Sequence, residues 1–225
     1  VRWTAVFTGI VEEMGIVRGI VRGRYSAALD IQARTVLEGT KTGDSIAVNG
    51  ICLTVTSLPA GGFTADVMHE TLDRSALLGL RRGMHVNLER AMPAAGRYGG
   101  HIVAGHADGV GTITRIRRDD TAVWYTVRAE PAILRYIVEK GSVTIDGISL
   151  TVAKTDTVSF SVSVIPHTLR VTALGECRVG DSVNLETDII AKYLEKLVHP
   201  AAGYTQKAQP QQSTVTAEYL SRHGF

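Results

Sequence analysis

The stretch that decides the fold is Ser45-Ile46-Ala47-Val48-Asn49-Gly50-Ile51-Cys52-Leu53-Thr54-Val55, because the same chain contains a second version of it. The second version is Ser142-Val143-Thr144-Ile145-Asp146-Gly147-Ile148-Ser149-Leu150-Thr151-Val152, at an offset of 97 positions, the difference between 147 and 50. Both consist of short runs rich in Val, Ile and Thr, separated by Gly, Asn or Asp, a pattern typical of β-strands joined by turns.

The repeat extends well beyond this stretch. At the same offset Phe63 aligns with Phe160, and residues 86–89 align with 183–186. Near the start, Gly9 aligns with Gly105 at an offset of 96, so a single inserted residue explains the difference. Because solenoid units are only about 20 to 50 residues long, a repeat of this length indicates a duplicated domain. We expect residues 1–97 and 98–187 to form the two copies.

Short strands dominate each copy. Segments 45–48, 52–56, 63–68 and 85–89 have strand composition, and their even spacing favours a small closed barrel. The helical exceptions are residues 131–138, which begin with proline, and a shorter matching turn near residues 34–38.

The clearest helix is predicted at the end of the second copy, over residues 187–198. It carries an apolar stripe that consists of Ile189, Ile190, Tyr193, Leu194 and Leu197. Such a stripe needs a partner surface, which is either the helix's own barrel or another subunit. After residue 200 the composition turns to Ala, Gln, Ser and Thr, so we expect residues 199–225 to form a disordered tail.

Composition excludes several classes of protein. The formal net charge of +2 with interspersed signs argues against a nucleic-acid partner. The two cysteines, Cys52 and Cys177, lack the spacing of a disulfide framework or a zinc site, and this usage suits a reducing cytoplasm. No stretch approaches the roughly 20 apolar residues that a membrane span requires, so we expect a cytoplasmic protein.

Four motifs carry a resemblance to a known family. They are residues 7–13 (FTGIVEE), 48–55 (VNGICLTV), 99–106 (GGHIVAGH) and 145–152 (IDGISLTV). Together, in order and spacing from Phe7 to about Leu197, they resemble riboflavin synthase. The resemblance implies two tandem six-stranded antiparallel Greek-key β-barrels followed by a trimerisation helix at residues 188–198. It also implies a homotrimer with sites between subunits and no metal or redox cofactor.

The activity that the resemblance implies is a transferase reaction between two identical molecules. Two 6,7-dimethyl-8-ribityllumazines dismutate to riboflavin and 5-amino-6-ribitylamino-pyrimidinedione, the final step of riboflavin biosynthesis. Lumazine synthase, which makes the substrate, is a candidate partner. A non-catalytic antenna protein that binds lumazine or flavin on the same fold is the chief alternative.

The resemblance also assigns substrate contacts in both copies. In the first barrel they are Gly9, Ile10, Val11, Cys52, Leu53, Thr54, Asp66, Val67, Met68, His69, Glu70 and Thr71. In the second barrel they are Gly105, His106, Ala107, Lys140, Ser149, Leu150, Thr151, Ile165, Pro166, His167, Thr168, Leu169 and Arg170.

One lumazine must lose a proton from its 7-methyl group while the other accepts attack at C7, so the two sites must differ electronically. The aligned copies do differ, at Cys52/Ser149, Ile10/His106, Asn49/Asp146, Gly43/Lys140 and Ala91/Asp188. We expect Cys52 to act as nucleophile or hydrogen-bond partner near C7, with Ser45 and Thr54 polarising the ring, and His106 to transfer protons. Phe7, Asp146 and Asp188 complete the catalytic candidates.

Each catalytic candidate has a structural alternative. Cys52 on a strand is often a small buried side chain, and thiolate character would need a cationic neighbour. His106 could be a structural histidine. Asp146 could be a turn residue, and Asp188, ahead of an apolar helical run, could be an N-cap.

The start of the chain departs from the family pattern. The family normally begins with Met-Phe, whereas here Val1 to Val6 precede Phe7. One hypothesis is that Val6 marks the native start of translation.

Overall fold

The first copy of the repeat folds into six antiparallel strands in the computed structural model, which describes residues 5–23 and 26–198. The strands are β1 (Glu13–Arg22), β2 (Ser26–Gln32), β3 (Ser45–Val48), β4 (Ile51–Ser57), β5 (Gly62–Met68) and β6 (His85–Arg90). They close into a barrel in the order β1-β2-β5-β4-β3-β6.

The second copy repeats this topology. Its strands are β7 (Gly109–Asp119), β8 (Ala122–Arg128), β9 (Ser142–Ile145), β10 (Ile148–Thr155), β11 (Ser159–Val164) and β12 (Ser182–Thr187). They close in the order β10-β11-β8-β7-β12-β9, which is the same circular arrangement as in the first barrel. The predicted fold class, two tandem six-stranded antiparallel barrels with a C-terminal helix, is therefore confirmed.

Helices occupy the connections. They are α1 (His69–Asp73), α2 (Pro131–Leu134), α3 (Pro166–Val171) and α4 (Ile189–Val198), with 3₁₀ turns at Thr35–Leu37, Ala76–Gly79 and Ala173–Glu176. The helix expected over residues 131–138 is shorter than predicted, whereas α4 begins two residues later than predicted and ends at the predicted residue. No helix in the described part of the chain is long and apolar enough to cross a membrane.

The barrels lie within one compact unit, and the residues from 192 onward form a separate one. The structure describes only residues 192–198 of that second unit. The predicted disordered tail, residues 199–225, and the first four residues of the chain lie outside the described ranges.

Strand alternation decides which residues fill each barrel. In β4, Ile51, Leu53 and Val55 are buried in the first barrel's core, while Cys52 and Thr54 point to its outer side. This division follows from the two-residue period of a strand. The outer side of β4 is therefore where Cys52 can meet a ligand.

The turns of the two repeated hairpins touch at the junction between the barrels. Asn49, Gly50, Asp146 and Gly147 all have positive φ, at 45°, 76°, 47° and 77°, as a type I′ turn requires. A Cβ atom on Gly50 would lie 2.7 Å from the backbone nitrogen of Gly147, and one on Gly147 would lie 2.7 Å from that of Gly50. Glycine at both positions thus permits the contact.

Reciprocal hydrogen bonds hold the two turns together. The backbone N–H of Asn87 donates to Asn49 Oδ1 (2.7 Å), and that of Asn184 donates to Asp146 Oδ1 (2.8 Å). The side-chain amides then cross the junction, Asn87 Nδ2 to the Asp146 carbonyl (2.9 Å) and Asn184 Nδ2 to the Asn49 carbonyl (2.8 Å). Asp146 thus occupies the turn-residue role that the sequence also allowed.

Burial raises the pKa of the Asp146 carboxyl to about 7, against the opposing effect of the Asn184 N–H. The folded state therefore binds this proton more tightly than the unfolded chain does. The resulting stabilisation is fully present below the unfolded pKa of about 4 and is lost as the pH rises towards 7. Asn49 shows that a neutral amide suits the equivalent position.

We predict that Asp146→Asn will be more stable than the parent at pH 8, by about 4 kcal/mol, because it removes a buried charge. The advantage should shrink as the pH falls towards 4, where Asp146 is protonated. Urea denaturation at pH 4.5, 6 and 8 measures this difference. The mirrored change Asn49→Asp is the control and should lose stability at pH 8. An Asp146→Asn gain that does not change with pH would contradict the assignment.

Candidate active site

Two chain segments that precede the barrels cross each other at the junction. We call residues 5–12 the first arm and residues 101–108 the second arm. The arms form an antiparallel bridge in which Phe7 N–H donates to the Val103 carbonyl (2.8 Å) and Val103 N–H donates to the Phe7 carbonyl (3.1 Å). Phe7 is fully buried in a small cluster with Ala47 and Val103. Its side chain supports the two arms here, and its predicted catalytic role stays a prediction.

Each arm ends against the strand of the opposite barrel. The Gly9 carbonyl accepts a hydrogen bond from Ser149 N–H (2.7 Å), and the Gly105 carbonyl accepts one from Cys52 N–H (2.8 Å). A Cβ atom on Gly9 would lie 2.7 Å from Ser149 Cβ, and one on Gly105 would lie 2.7 Å from Cys52 Cβ. Glycine thus permits both close approaches.

This exchange corrects the grouping of the predicted contacts. The sequence placed Gly9 to Val11 with the first barrel and Gly105 to Ala107 with the second, whereas the Gly9 carbonyl meets Ser149 of the second barrel and the Gly105 carbonyl meets Cys52 of the first. Val11 accordingly packs on the core of the second barrel and Ala107 on that of the first. Alignment of the copies shows which positions are equivalent. It does not show which residues of the other copy each position contacts.

A buried carboxylate of the first barrel holds the first arm. Glu89, near the end of β6, accepts hydrogen bonds from Thr8 N–H (2.7 Å), Thr8 Oγ1 (2.9 Å) and Gly9 N–H (3.0 Å). Burial raises the pKa of Glu89, and the bonds from Thr8 and Gly9 oppose this rise.

Glu186, the repeat counterpart of Glu89 on β12, holds the second arm. Its carboxylate accepts hydrogen bonds from the backbone N–H groups of Ala104 (2.6 Å), Gly105 (3.0 Å) and His106 (3.1 Å). Sequence reasoning missed both glutamates as functional residues. The sequence contained a feature that could have identified them. Each glutamate ends the repeated run Val-Asn-Leu-Glu, at a strand position next to a core leucine.

The second arm closes a pocket on the outer side of β4, which we call the Cys52 pocket. Its volume is about 630 Å³. It is lined by Ile51, Cys52, Met68, His69, Glu70, Thr71, Arg74, Ser75, Gly105, His106 and Ala107. The structure thus brings together eight of the predicted contacts, from three separate stretches of the chain.

Cys52 is a neutral thiol in this environment. Burial is the main reason that its pKa is raised, a hydrogen bond with Ser45 opposes the shift, and the negative charge of Glu186 adds to it. A thiolate would need a cationic neighbour, whereas the charged group that acts here is anionic. The raised pKa suits the hydrogen-bond role, and the choice between the two predicted roles of Cys52 stays a prediction.

The second barrel has an equivalent surface around Ser149, which we call the Ser149 surface. Ile165, the counterpart of Met68, precedes α3 as Met68 precedes α1, and both side chains are exposed. His167 and Arg170 on α3, Thr151 on β10 and Lys140 in the preceding loop are also exposed. Ser149, Leu150, Thr168 and Leu169 are half-buried, as is Val11 of the first arm, while Ile10 is exposed.

Not every predicted contact presents a side chain to the outside. Leu53 and Val67 are 4% and 1% exposed and belong to the core of the first barrel. Strand alternation turns both side chains inward. Their neighbours face outward: Thr54 next to Leu53, and Asp66 and Met68 on either side of Val67. Any contact of Leu53 and Val67 with a ligand is therefore left to their main chain.

Two further catalytic candidates are not part of the Cys52 pocket lining. Asp188 Oδ1 accepts the N–H of Ile190 (2.9 Å) at the start of α4, which is the N-cap geometry. Ser45, besides its bond with Cys52, lines a separate cavity of about 730 Å³ under the first arm, together with Glu89 and Ile10.

Among the described residues no group of three or more His, Cys, Asp or Glu side chains could hold a metal ion.

The fold and the paired sites define a class of duplicated-barrel proteins that bind lumazines. The profile of the lumazine binding domain matches residues 8–91 and again residues 104–188. The chain is 49% identical to a riboflavin synthase of Actinobacillus pleuropneumoniae over 98% of the chain and all of that protein. It is 52% identical to the riboflavin synthase of Mycobacterium bovis over 87% of the chain and all of that protein. The chain belongs to the riboflavin synthase family.

A solved structure supports the fold. The crystal structure of LumP complexed with 6,7-dimethyl-8-(1'-D-ribityl) lumazine superposes with a TM-score of 0.73 at 24% sequence identity. The match covers 80% of this chain and 98% of LumP.

We predict that Glu186→Gln will loosen the second arm. An amide offers one oxygen and turns an NH₂ group toward backbone N–H donors, which leaves buried donors unpaired at a cost of about 1 to 3 kcal/mol. The melting temperature should fall, and ligands of the Cys52 pocket should bind at least threefold more weakly. Thermal unfolding and a riboflavin fluorescence titration measure both effects. An exposed carboxylate, Glu130→Gln, is the control; riboflavin affinity that matches this control would refute the arm's role in binding.

Proposed function

We propose that this chain catalyses the dismutation of two 6,7-dimethyl-8-ribityllumazines to riboflavin and 5-amino-6-ribitylamino-pyrimidinedione. The observation that carries the proposal is the pair of equivalent sites with unlike groups, the Cys52 pocket and the Ser149 surface. One chain of this family thus offers two similar binding frames for two copies of one molecule. The atoms of two lumazines equal those of the two products, so the reaction needs no further reactant.

The size and lining of the Cys52 pocket suit this substrate. Pockets for small molecules usually enclose about 300 to 1,000 Å³ and combine apolar walls with a few polar groups. Ile51, Met68 and Ala107 supply apolar surface for a ring, while His69 and Glu70 supply polar groups within reach of ribityl hydroxyls.

The groups in the two sites support different electronic roles. The Cys52 pocket contains His106, which is exposed and available to carry a proton to or from a bound ring or its methyl group. Cys52 offers a weak S–H donor, while the equivalent Ser149 offers a stronger O–H donor. Lys140, exposed at the edge of the second barrel, adds positive charge that the first copy, with Gly43, lacks.

We also propose that the active unit is a homotrimer whose reacting sites lie between subunits. On α4, Tyr193, Leu194 and Leu197 are 64%, 56% and 76% exposed, which is unusual for a contiguous apolar face. An assembly of copies through α4 would cover this face. Two free cysteines suit a cytoplasmic location, where lumazine synthase would be the supplier of substrate.

The alternative function is that of a non-catalytic lumazine- or flavin-binding antenna protein on the same fold. The higher identity to proteins named riboflavin synthase, 49% and 52% against 24% for LumP, favours the enzyme.

Mixing the protein with ribityl-lumazine alone tests the proposal. We expect one riboflavin for every two lumazines consumed, measured by absorbance. Fluorescent binding without turnover would identify an antenna or carrier protein. Cys52→Ser, which keeps a hydrogen-bond donor, should retain activity within about tenfold, whereas Cys52→Ala should lose more. Complete loss in Cys52→Ser would restore the nucleophile role.

We predict that the double variant Leu194→Lys/Leu197→Lys will be monomeric. Lysine at these positions places charges in the apolar face that an interface would bury. Light scattering should give three times the 24.2 kDa chain mass for the parent and one chain mass for the variant. Turnover should fall with the loss of shared sites. Lys196→Ala, on the polar side of α4, is the control, and a parent protein that is monomeric yet active would contradict the trimer.

A further inference from the structure

His101, at the beginning of the second arm, contacts the serine of the Ser149 surface. Its Nδ1 lies 2.8 Å from Ser149 Oγ, and its backbone N–H donates to the Thr8 carbonyl (3.1 Å). Gly100 makes this approach possible, because a Cβ atom there would lie 2.0 Å from the Thr8 carbonyl oxygen and 2.9 Å from Ser149 Cβ. His101 belongs to the motif at residues 99–106, but sequence analysis assigned no role to it.

The opposite nitrogen of this imidazole is unusual. His101 Nε2 is buried and has no hydrogen-bond partner within the described ranges. Burial lowers the pKa of His101, and the nearby charge of Asp188 raises it to a smaller extent. The ring is therefore neutral at neutral pH and carries a single N–H.

The burial of Nε2 decides which nitrogen carries that hydrogen. A buried N–H without an acceptor is costlier than a buried lone pair without a donor, and orphaned donors are correspondingly rare. The favoured tautomer therefore has its hydrogen on Nδ1, which donates to Ser149 Oγ. The serine's own hydrogen is then directed away from His101 and is available to a ligand.

The first barrel lacks this device. The offset of 96 that relates the arms places Ala5 opposite His101. Ala5 and Cys52 each pack against the small cluster of Phe7, Ala47 and Val103. The position equivalent to His101 thus carries a methyl group, which can neither donate nor accept a hydrogen bond, so the first copy has no counterpart of the His101–Ser149 pair. The Cys52 pocket and the Ser149 surface share the same backbone hydrogen bonds. They differ in how strongly their side chains can donate a hydrogen bond to a bound ring.

We infer that His101 is a positioning residue that orients the Ser149 hydroxyl as a donor to the lumazine on the second barrel. This inference rests on the proposed function and names the group that makes the two sites unequal. A donor aimed at a ring oxygen or nitrogen stabilises negative charge on the ring, so it acts on the reacting state more than on simple binding.

Two variants separate orientation from packing. His101→Phe keeps a ring without nitrogen, and His101→Asn keeps an N–H close to the place of Nδ1. We expect kcat to fall at least tenfold in His101→Phe, with KM for lumazine within threefold of the parent. His101→Asn should stay within threefold in both constants. Equal kcat values for the two variants would overturn the inference, and melting temperatures confirm that both are folded.

A double-mutant cycle tests whether His101 acts through Ser149. In a Ser149→Ala background, His101→Phe should cause no further loss of kcat, whereas in a Cys52→Ala background it should cause the full loss. A full further loss in the Ser149→Ala background would overturn the inference.

The outcome is separable from that of the proposed function. If the parent makes no riboflavin, the proposed function fails, and the same cycle is read from lumazine dissociation constants obtained by fluorescence. His101→Phe should then cause a small loss of lumazine affinity, up to about threefold, in the parent and none in Ser149→Ala. Equal weakening in both backgrounds would reject the positioning role.

Discussion

Two equivalent hydrogen bonds organise the sites, Cys52 N–H to the Gly105 carbonyl and Ser149 N–H to the Gly9 carbonyl. Each joins the arm of one copy to a strand of the other copy. A barrel on its own would therefore lack the arm that closes its site, even though its sheet is complete. These two bonds require two kinds of residue. Glycines permit the close approach of the arms, and glutamates hold the arms in place.

The duplication preserves backbone geometry and varies side chains. The hydrogen bonds that join the arms to Cys52 and Ser149 are 2.8 and 2.7 Å long. The bonds that the backbone N–H groups of Asn87 and Asn184 donate to the turns are 2.7 and 2.8 Å long. Chemical differences between the sites must therefore come from side chains placed on a common frame. Such a frame suits a reaction that uses one molecule in two roles, because both copies of the molecule can be held in matching orientations.

Sequence reasoning predicted the barrels well and their connections poorly. Strand β3 matches its predicted bounds, because alternating β-branched residues and an Asn-Gly turn fix it locally. The helices α1 and α3, of five and six residues, are too short to show a helical period. The arm exchange is a tertiary property. Alignment of the copies shows that Gly9 and Gly105 are equivalent, and it carries no information about which barrel each one contacts.

The arms also link the two sites mechanically. The first arm is held by Glu89 of its own barrel, by Ser149 of the other barrel, and by the Phe7–Val103 bridge to the second arm. Because each arm has attachments to both barrels, one arm cannot shift without breaking bonds that also define the other site. Most of these bonds are made by buried backbone groups, for which no water is at hand to replace a lost partner. The two frames are therefore expected to remain closed together, which favours a fixed relative geometry over independent opening of either site.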